Sequence, residues 1–424
     1  MGKGRQVIPV WTIPMLYVAA SIVLGVLLPR LERAFIVDAR LEISVASAQA
    51  YMSAVASGMM ALTGIVFALA FVMVQFSAVA YSPRLVLLFA RDRLLFHALG
   101  AFIGTFTYAL FNLAWVDRAA SGQVPLVSSA ALALMLIASM LIFTLLVQRI
   151  SALQIANVLR RVGGEGRRVI AETYSPLGAA DASDDAAREA PLGPRTQTLV
   201  YSGPPRMVAE FDQRALVRLA ESCGGVIVMG CGIGEALIEG TTMLDVHGGS
   251  RPLPEKDLLA GVSLADERTF EQDPKYAIRL LGDIAIKALS PAINDPTTAV
   301  QAIDQIEDLM RRLARSDLDA GVHRDAAGCV RLVVPMPSWE DYLSLAFDEI
   351  RQFGVTSVQV MRRLRATLGA LAEAATTPER IAAVRRYAAH LDRVIERSGL
   401  DLEDRAIALQ EDRQGLGLAR QRVS

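Results

Sequence analysis

The chain has 424 residues, is 53% hydrophobic and carries 43 Lys+Arg against 44 Asp+Glu. The charge is unevenly placed: residues 1–148 hold nine Lys+Arg and five Asp+Glu, and residues 149–424 hold 34 and 39. An apolar, nearly uncharged first third excludes a soluble single-domain protein, and no part has the positive excess of a nucleic-acid binder.

The predicted membrane spans come first in the chain. No charged residue lies between Arg5 and Arg30, and a first span is predicted over Val10–Leu28. The uncharged stretch between Glu42 and Arg84 is too long for one crossing of roughly 20 residues. A second span is placed at Ser57–Val79, on a helix expected to project beyond the lipid. Spans three and four are predicted over Leu94–Val116 and Leu126–Val147. With the N-terminus inside, inner segments hold ten Lys+Arg and outer loops four (Arg30, Arg33, Arg40, Arg118), so both termini are expected in the cytoplasm.

The span centres carry no Asp, Glu, Lys or Arg, which argues against an ion-coupled transporter. Their polar candidates are neutral: Thr63, Gln75, Thr105, Thr107 and Asn112, with Asn112 expected to bond a neighbouring helix. His97 sits near the inner end of span three. Span two sets Ala50, Ala54, Ser57, Gly58, Ala61 and Gly64 at spacings of three and four, a face suited either to packing within the chain or to a subunit interface.

Beyond the membrane, span four is expected to run into a juxtamembrane helix to about Arg161, interrupted at Gly163, Gly164 and Gly166 and resuming over Arg167–Thr173. Residues 175–196 read as a loop or linker. Strands are predicted at Thr198–Ser202, Met207–Phe211, Gly225–Met229 and Thr241–Val246, with a helix over Asp212–Ser222 capped by Asp212. The run Gly230-Cys231-Gly232-Ile233-Gly234 has the wrong spacing for a dinucleotide fingerprint. The following Gly234-x5-Gly240-x3-Leu244-x-Val246 resembles the turn of biotinyl/lipoyl-like half-barrels, without the lysine that would carry a cofactor.

The densest pattern runs from Asp273 to Ala299. Asp273-Pro274 is a cap-and-proline helix start, Ser290-Pro291 ends that helix near Leu289, and Asp295-Pro296 starts a second helix to about Ala314. Arg279, Asp283 and Lys287 fall on one face. Two readings stay open. One is a surface salt-bridge ladder beside a capped turn. The other is a polar site in which Asp273, Arg279, Asp283 and Lys287 join Asn294, Asp295, Thr297 and Thr298. A strand is predicted at Gly328–Val334 and helices at 339–353, 355–374, 378–397 and 401–412, with Ser338 as a cap. Trp339 and Tyr342 are expected as packing residues, and Gln414–Ser424 as a frayed tail.

The segment from Phe270-x-Gln-Asp273 to Asp295-Pro-x-Thr-Ala resembles the hallmark of a bacterial predicted-membrane-protein family, domain of unknown function 2254. Gln75-Phe76-Ser77, Ser82-Pro83-Arg84, Tyr201-Ser-Gly203, the Gly234/Gly240/Leu244 turn, and Trp339-x-Asp-Tyr with Phe347 and Arg351 support the resemblance, which covers nearly the whole chain. The Gly203-Pro-Pro stretch departs from the family, which more often continues with an aromatic residue. The resemblance implies an integral protein of the bacterial inner membrane and brings no reaction, ligand or catalytic residue.

The expected fold is thus membrane α-helical, with four transmembrane helices followed by a cytoplasmic α+β region. Its parts are a transmembrane domain over 1–148, a juxtamembrane helix and linker over 149–196, a small β-rich half-barrel-like module over 197–262 and a helical domain with one added strand over 263–424. Cys223, Cys231 and Cys329 are too scattered for a disulfide framework or a zinc site and fit a reducing compartment. The four histidines form no metal spacing, and the common hydrolase, phosphate-loop and metalloprotease motifs are missing. No catalytic residue, metal or cofactor is expected, and an enzyme is not indicated. The expected partners are the lipid bilayer and further copies of the chain, not nucleic acid. The expected role is an oligomeric channel regulated by its cytoplasmic domain, with a non-conducting membrane sensor or scaffold as the alternative.

Overall fold

The computed structural model describes residues 11–35, 44–80, 93–116, 124, 126–151, 155–178 and 192–417. The chain divides into two units, Met1–Gln154 and Ile155–Ser424.

Among the described residues the first unit holds four helices: α1 (Thr12–Phe35), α2 (Val45–Ala80), α3 (Arg93–Leu113) and α4 (Leu126–Ser151). Each is long and apolar enough to cross a membrane. Helix α2 starts a dozen residues before the predicted second span. Its apolar window is Val45–Val72, and the 36-residue helix is roughly 54 Å long at 1.5 Å per residue. Helix α3 is central and packs against the other three. Glycines let it approach α1: a Cβ on Gly100 would meet the Tyr17 ring at 2.7 Å, and one on Gly104 would meet Ser21 Oγ at 2.8 Å. The buried Glu32 carboxylate at the end of α1 accepts from the amides of Val127 (2.8 Å) and Ser128 (3.1 Å) and from the Ser128 hydroxyl (3.0 Å). A side chain of one helix thereby supplies acceptors to the orphan amides at the start of another.

The second unit opens with α5 (Ile155–Thr173). This helix is continuous where three glycines predict an interruption. Two of the glycines serve close packing instead: a Cβ on Gly163 would lie 2.3 Å from Gln305 Oε1, and one on Gly166 would lie 2.7 Å from Leu309 Cδ1 and 2.8 Å from Ala277 Cβ. Burial against neighbouring helices outweighs the low helix propensity of glycine, about 1 kcal/mol each.

The strands are β1 (Arg195–Val200), β2 (Arg206–Phe211), β3 (Gly225–Met229), β4 (Ala236–Leu237), β5 (Thr242–Gly248), β6 (Val262–Ala265), β7 (Val322–Arg324) and β8 (Val330–Val333). They form a five-stranded sheet in the order β1-β5-β3-β8-β7 and a three-stranded sheet in the order β4-β2-β6. Among the described residues only the β3–β8 pairing is parallel, and it recruits residues far along the chain into the larger sheet. Helices α6 (Gln213–Cys223) and α7 (Glu255–Ala260) accompany the strands. Asp212 caps α6 through the Ala215 amide, and left-handed Gly224 ends it.

The remaining helices are α8 (Pro274–Ala288), α9 (Pro296–Leu313), α10 (Trp339–Gly354), α11 (Val358–Ala374), α12 (Pro378–Glu396) and α13 (Leu402–Ala408). Helices α8 and α9 form a hairpin against α5, α10 and α11. Helix α13 ends four residues before its predicted end, because the chain turns around the buried Asp412. That carboxylate accepts from the amides of Gln414 and Gly415 at 3.0 Å and of Gly417 at 2.6 Å. Residues 414–417, predicted as part of a frayed tail, are therefore held in place. The rest of that predicted tail, residues 418–424, lies outside the described residues, as do the 82–84 motif and most of the predicted 175–196 linker.

Candidate functional site

Helices α8 and α9 start in the same way. Gln272-Asp273-Pro274 and Asn294-Asp295-Pro296 each place a left-handed residue (φ 52° and 47°) before the capping aspartate. The caps share φ −116°, with ψ 85° and 80°. A non-glycine residue in this region is uncommon and is held by its surroundings. The Gln272 carboxamide supplies that hold on one side. It accepts from the Phe211 amide at 3.2 Å and donates to Glu210 Oε1 and the Phe211 carbonyl at the same distance, fixing the turn on β2. On the other side the Asn294 amide donates to the Ser290 carbonyl at 2.8 Å, so the backbone of Asn294, which is itself exposed, closes the α8–α9 turn.

The two aspartates then diverge. Asp295 accepts from the Thr298 amide at 3.1 Å and from the Thr298 hydroxyl. Asp273 is 1% exposed, and among the described residues neither carboxylate oxygen has a well-formed hydrogen bond, the Lys275 and Tyr276 amides and Arg268 standing nearby. It lies against the glycine run that follows β3: a Cβ on Gly234 would be 2.3 Å from Asp273 Oδ2. Gly234 itself has φ +78°. The same turn is clasped by two cations. Arg268 Nε donates to the Gly234 carbonyl at 2.7 Å and Lys275 Nζ to the Ile233 carbonyl at 2.9 Å. Arg268 Nε stands 3.9 Å from Asp273 Oδ2. The glycines that fail as a dinucleotide motif thus let a buried carboxyl approach the backbone.

Burial pushes the Asp273 carboxyl above its ordinary value. The cations of Lys275 and Arg268, and the nearby Lys275 and Tyr276 amides, offset this only in part. Behind it, the buried hydroxyls of Tyr174 and Tyr342 lie 2.8 Å apart. Burial pushes Tyr174 up to about 12 and raises Tyr342 well above the usual phenol, and the charge on Asp273 adds to both. Trp339 and Tyr342 are buried as expected. The Trp339 ring carries the Arg380 guanidinium 5.7 Å from its centroid.

The predicted eight-residue site is spread along the hairpin. Helix α8 is roughly 22 Å long, which separates Asp273 at its start from Asn294, Asp295, Thr297 and Thr298 beyond its end. Between them Arg279 bonds Asp283 at 2.7 Å through Nε and Glu349 of α10 at 2.6 and 2.8 Å through its two Nη atoms. This bidentate pair ties α8 to α10, and sequence spacing gave no sign of Glu349. Lys287 lies one turn beyond Asp283, and its carbonyl accepts from the Ser290 hydroxyl at 2.7 Å. Asp273, Arg268, Lys275, Gly234, Tyr174 and Tyr342 come together from four separate stretches of sequence. The sequence singles out Asp273, Gly234 and Tyr342 separately, by the Asp-Pro start, the glycine turn and the Trp339-x-Asp-Tyr motif, but nothing in it places them together.

Among the membrane candidates, Thr105 Oγ1 bonds Ser139 Oγ of α4 at 3.1 Å in the core. Thr63 and Thr107 donate to carbonyls of their own helices, at Met59 and Ile103. Gln75 is exposed. Asn112 is fully enclosed near Tyr108 of its own helix, and among the described residues its amide atoms make no well-formed hydrogen bond to a neighbouring helix. The His97 ring bonds the Tyr17 hydroxyl at 3.2 Å. Among the described residues no group of His, Cys, Asp or Glu is arranged to hold a metal ion.

Four helices long and apolar enough to cross a membrane, followed by a mixed α/β unit with further helices, are the features of a membrane protein carrying a large folded unit. The chain belongs to the family described as predicted membrane protein (DUF2254), whose sequence model matches residues 9–370. It is 28% identical over 415 residues to the uncharacterized protein MT1328 of Mycobacterium tuberculosis (strain CDC 1551 / Oshkosh), covering 94% of this chain and 78% of the relative. The uncharacterized protein Mb1321c of Mycobacterium bovis (strain ATCC BAA-935 / AF2122/97) is also 28% identical, over 414 residues, with the same coverage. No solved structure matches the chain.

Proposed function

We propose that this protein is a homo-oligomer of the bacterial inner membrane, with both termini in the cytoplasm, that forms a channel regulated by its cytoplasmic unit. The observation that carries this reading is the uncovered small-residue face of α2. Ala50, Ala54, Ser57, Gly58, Ala61 and Gly64 are all exposed in the single chain. A Cβ on Gly58 or Gly64 would meet nothing within 4 Å. The opposite face, with Met52, Val55, Met59 and Val66, is buried in the core of the four-helix unit. Further along, the exposed positions become large, with Ile65, Phe67, Phe71 and Val72, as lipid-facing surface does. Small residues let a second backbone approach closely, and a sister α2 around an axis satisfies that geometry. The excess of Lys and Arg in the segments read as internal supports the orientation.

Light scattering on the purified protein in detergent and conductance in planar bilayers test the reading together. It expects a discrete oligomer and single-channel currents. A monomer with silent bilayers overturns it. A discrete oligomer with silent bilayers moves the function to the second reading, a non-conducting sensor or scaffold. The buried Asp273 carboxyl of the second unit, raised by burial, favours that alternative, as a group able to respond to a ligand or proton.

A further inference from the structure

The paired helix starts provide an internal control. Asp273 and Asp295 have the same left-handed residue before them, the same proline after them and nearly the same backbone angles. Local geometry therefore offers both the same capping role. Asp295 takes it with a well-formed bond, whereas Asp273, with the Lys275 and Tyr276 amides only nearby, lies buried against Gly234 beside an arginine that is bonded to the Gly234 carbonyl. We propose that Asp273 and Arg268 form a proton-operated latch between the Gly230–Gly234 turn and the start of α8. While the Asp273 carboxyl holds its proton, Arg268 Nε gives its single hydrogen to the Gly234 carbonyl. When the proton leaves to solvent, the buried carboxylate draws Arg268 off that carbonyl and onto itself.

The groups around the carboxyl fix the direction of this change. From its own segment it faces Arg268, Lys275 and Tyr276; from just past the end of α5, Tyr174; from α10, Tyr342 and, beyond Lys275, Asp341. Glu235 adds a negative charge on the turn, where a Cβ on Gly232 would lie 3.2 Å from its Oε1. The two phenols stay protonated throughout, since burial raises both. Arg268 Nε is 2.7 Å from one acceptor and 3.9 Å from the other, so a small side-chain movement exchanges them. The turn keeps its bond to β2, where the Gly234 amide donates to the Val208 carbonyl at 2.8 Å. What ionisation releases is the Arg268 clasp on the Gly234 carbonyl, while Lys275 of α8 keeps its bond to the Ile233 carbonyl.

A carboxyl held neutral by the fold contributes its full stability below the unfolded value, near the ordinary 3.8, and loses it as pH rises through the raised folded value. An ordinary charged cap has the opposite sign. Full-length protein in detergent micelles is melted across acidic to neutral pH as wild type, Asp273→Asn and, as a capping control, Asp295→Asn. Hydrogen exchange over residues 230–236 is followed in parallel and corrected for intrinsic rates. Asparagine imitates the protonated carboxyl. Asp273→Asn is expected to raise the Tm above wild type at neutral pH, with the gap closing in acid. Its turn is expected to exchange slowly at every pH, while the wild-type turn exchanges faster as pH rises. A lower Tm for Asp273→Asn at neutral pH, or the same pH dependence of exchange in both proteins, overturns the latch. Should Asp273→Asn fail to fold, Arg268→Gln decides. The latch expects fast exchange in the turn at every pH, and wild-type protection in acid would overturn it.

Discussion

Asp295 is the acceptor for one of the orphan amides at the start of α9, and its loss leaves the Thr298 amide without that partner. Asp295→Ala is expected to cost on the order of 1 kcal/mol, seen as a lower Tm. Gly234 is constrained twice, by a positive φ and by the Asp273 oxygen 2.3 Å from where a Cβ would stand. Gly234→Ala should therefore destabilise by roughly 1–3 kcal/mol. Removing the carboxylate relieves the contact but not the backbone conformation. The double variant Gly234→Ala/Asp273→Ala should thus lose less stability than the sum of the two single variants, and strict additivity in a thermal double-mutant cycle would show that the contact is not felt.

At the scale of elements, glycine has opposite meanings in two helices. In α5 it is a point of contact: Gly166→Leu drives a branched side chain into Leu309 and Ala277, and loss of cooperative unfolding or a drop of several degrees in Tm is expected. In α2 the glycines face open space, so Gly58→Leu and Gly64→Leu gain helix propensity without an intrachain clash. If α2 is the subunit contact, those variants fold but run as smaller species in light scattering; an unchanged oligomer would place the contact elsewhere. Glu32 joins two elements. Glu32→Ala strips three hydrogen bonds from the start of α4, and a loss of about 1–3 kcal/mol is expected in denaturant unfolding.

For the whole molecule, the division at Gln154 separates two kinds of stability. The first unit buries few large side chains and relies on close glycine contacts and interhelix hydrogen bonds, as apolar solvent on its outside requires. The second has ordinary cores, in which the sheets and α6 enclose Phe211, Leu216, Ile227 and Leu244. The latch lies within the second unit, so its pH response is expected to be unchanged in the α2 variants. Melts of Gly58→Leu at acidic and neutral pH would check that independence.

The four apolar helices, the starts of α6, α8, α9 and α10 and the helical tail were legible in the sequence, because each depends on neighbours a few residues apart. Uncharged length, Asp-Pro and Ser caps and a 3.6-residue period act locally. The family resemblance was legible for a related reason, since it rests on contiguous motifs. The continuity of α5 was not, because the interruption predicted at Gly163–Gly166 is overridden by helices whose contact residues lie more than a hundred positions away. Nor were β4, β6 and β7, which are short and owe their pairing to partners brought in by the fold. The site shows the same boundary. Sequence placed Asp273 and Asp295 in equivalent caps, and their backbones are equivalent. Only the tertiary structure, by setting Gly234 and Arg268 against the one and leaving the other partly open to solvent, made Asp273 a buried carboxyl and Asp295 a cap.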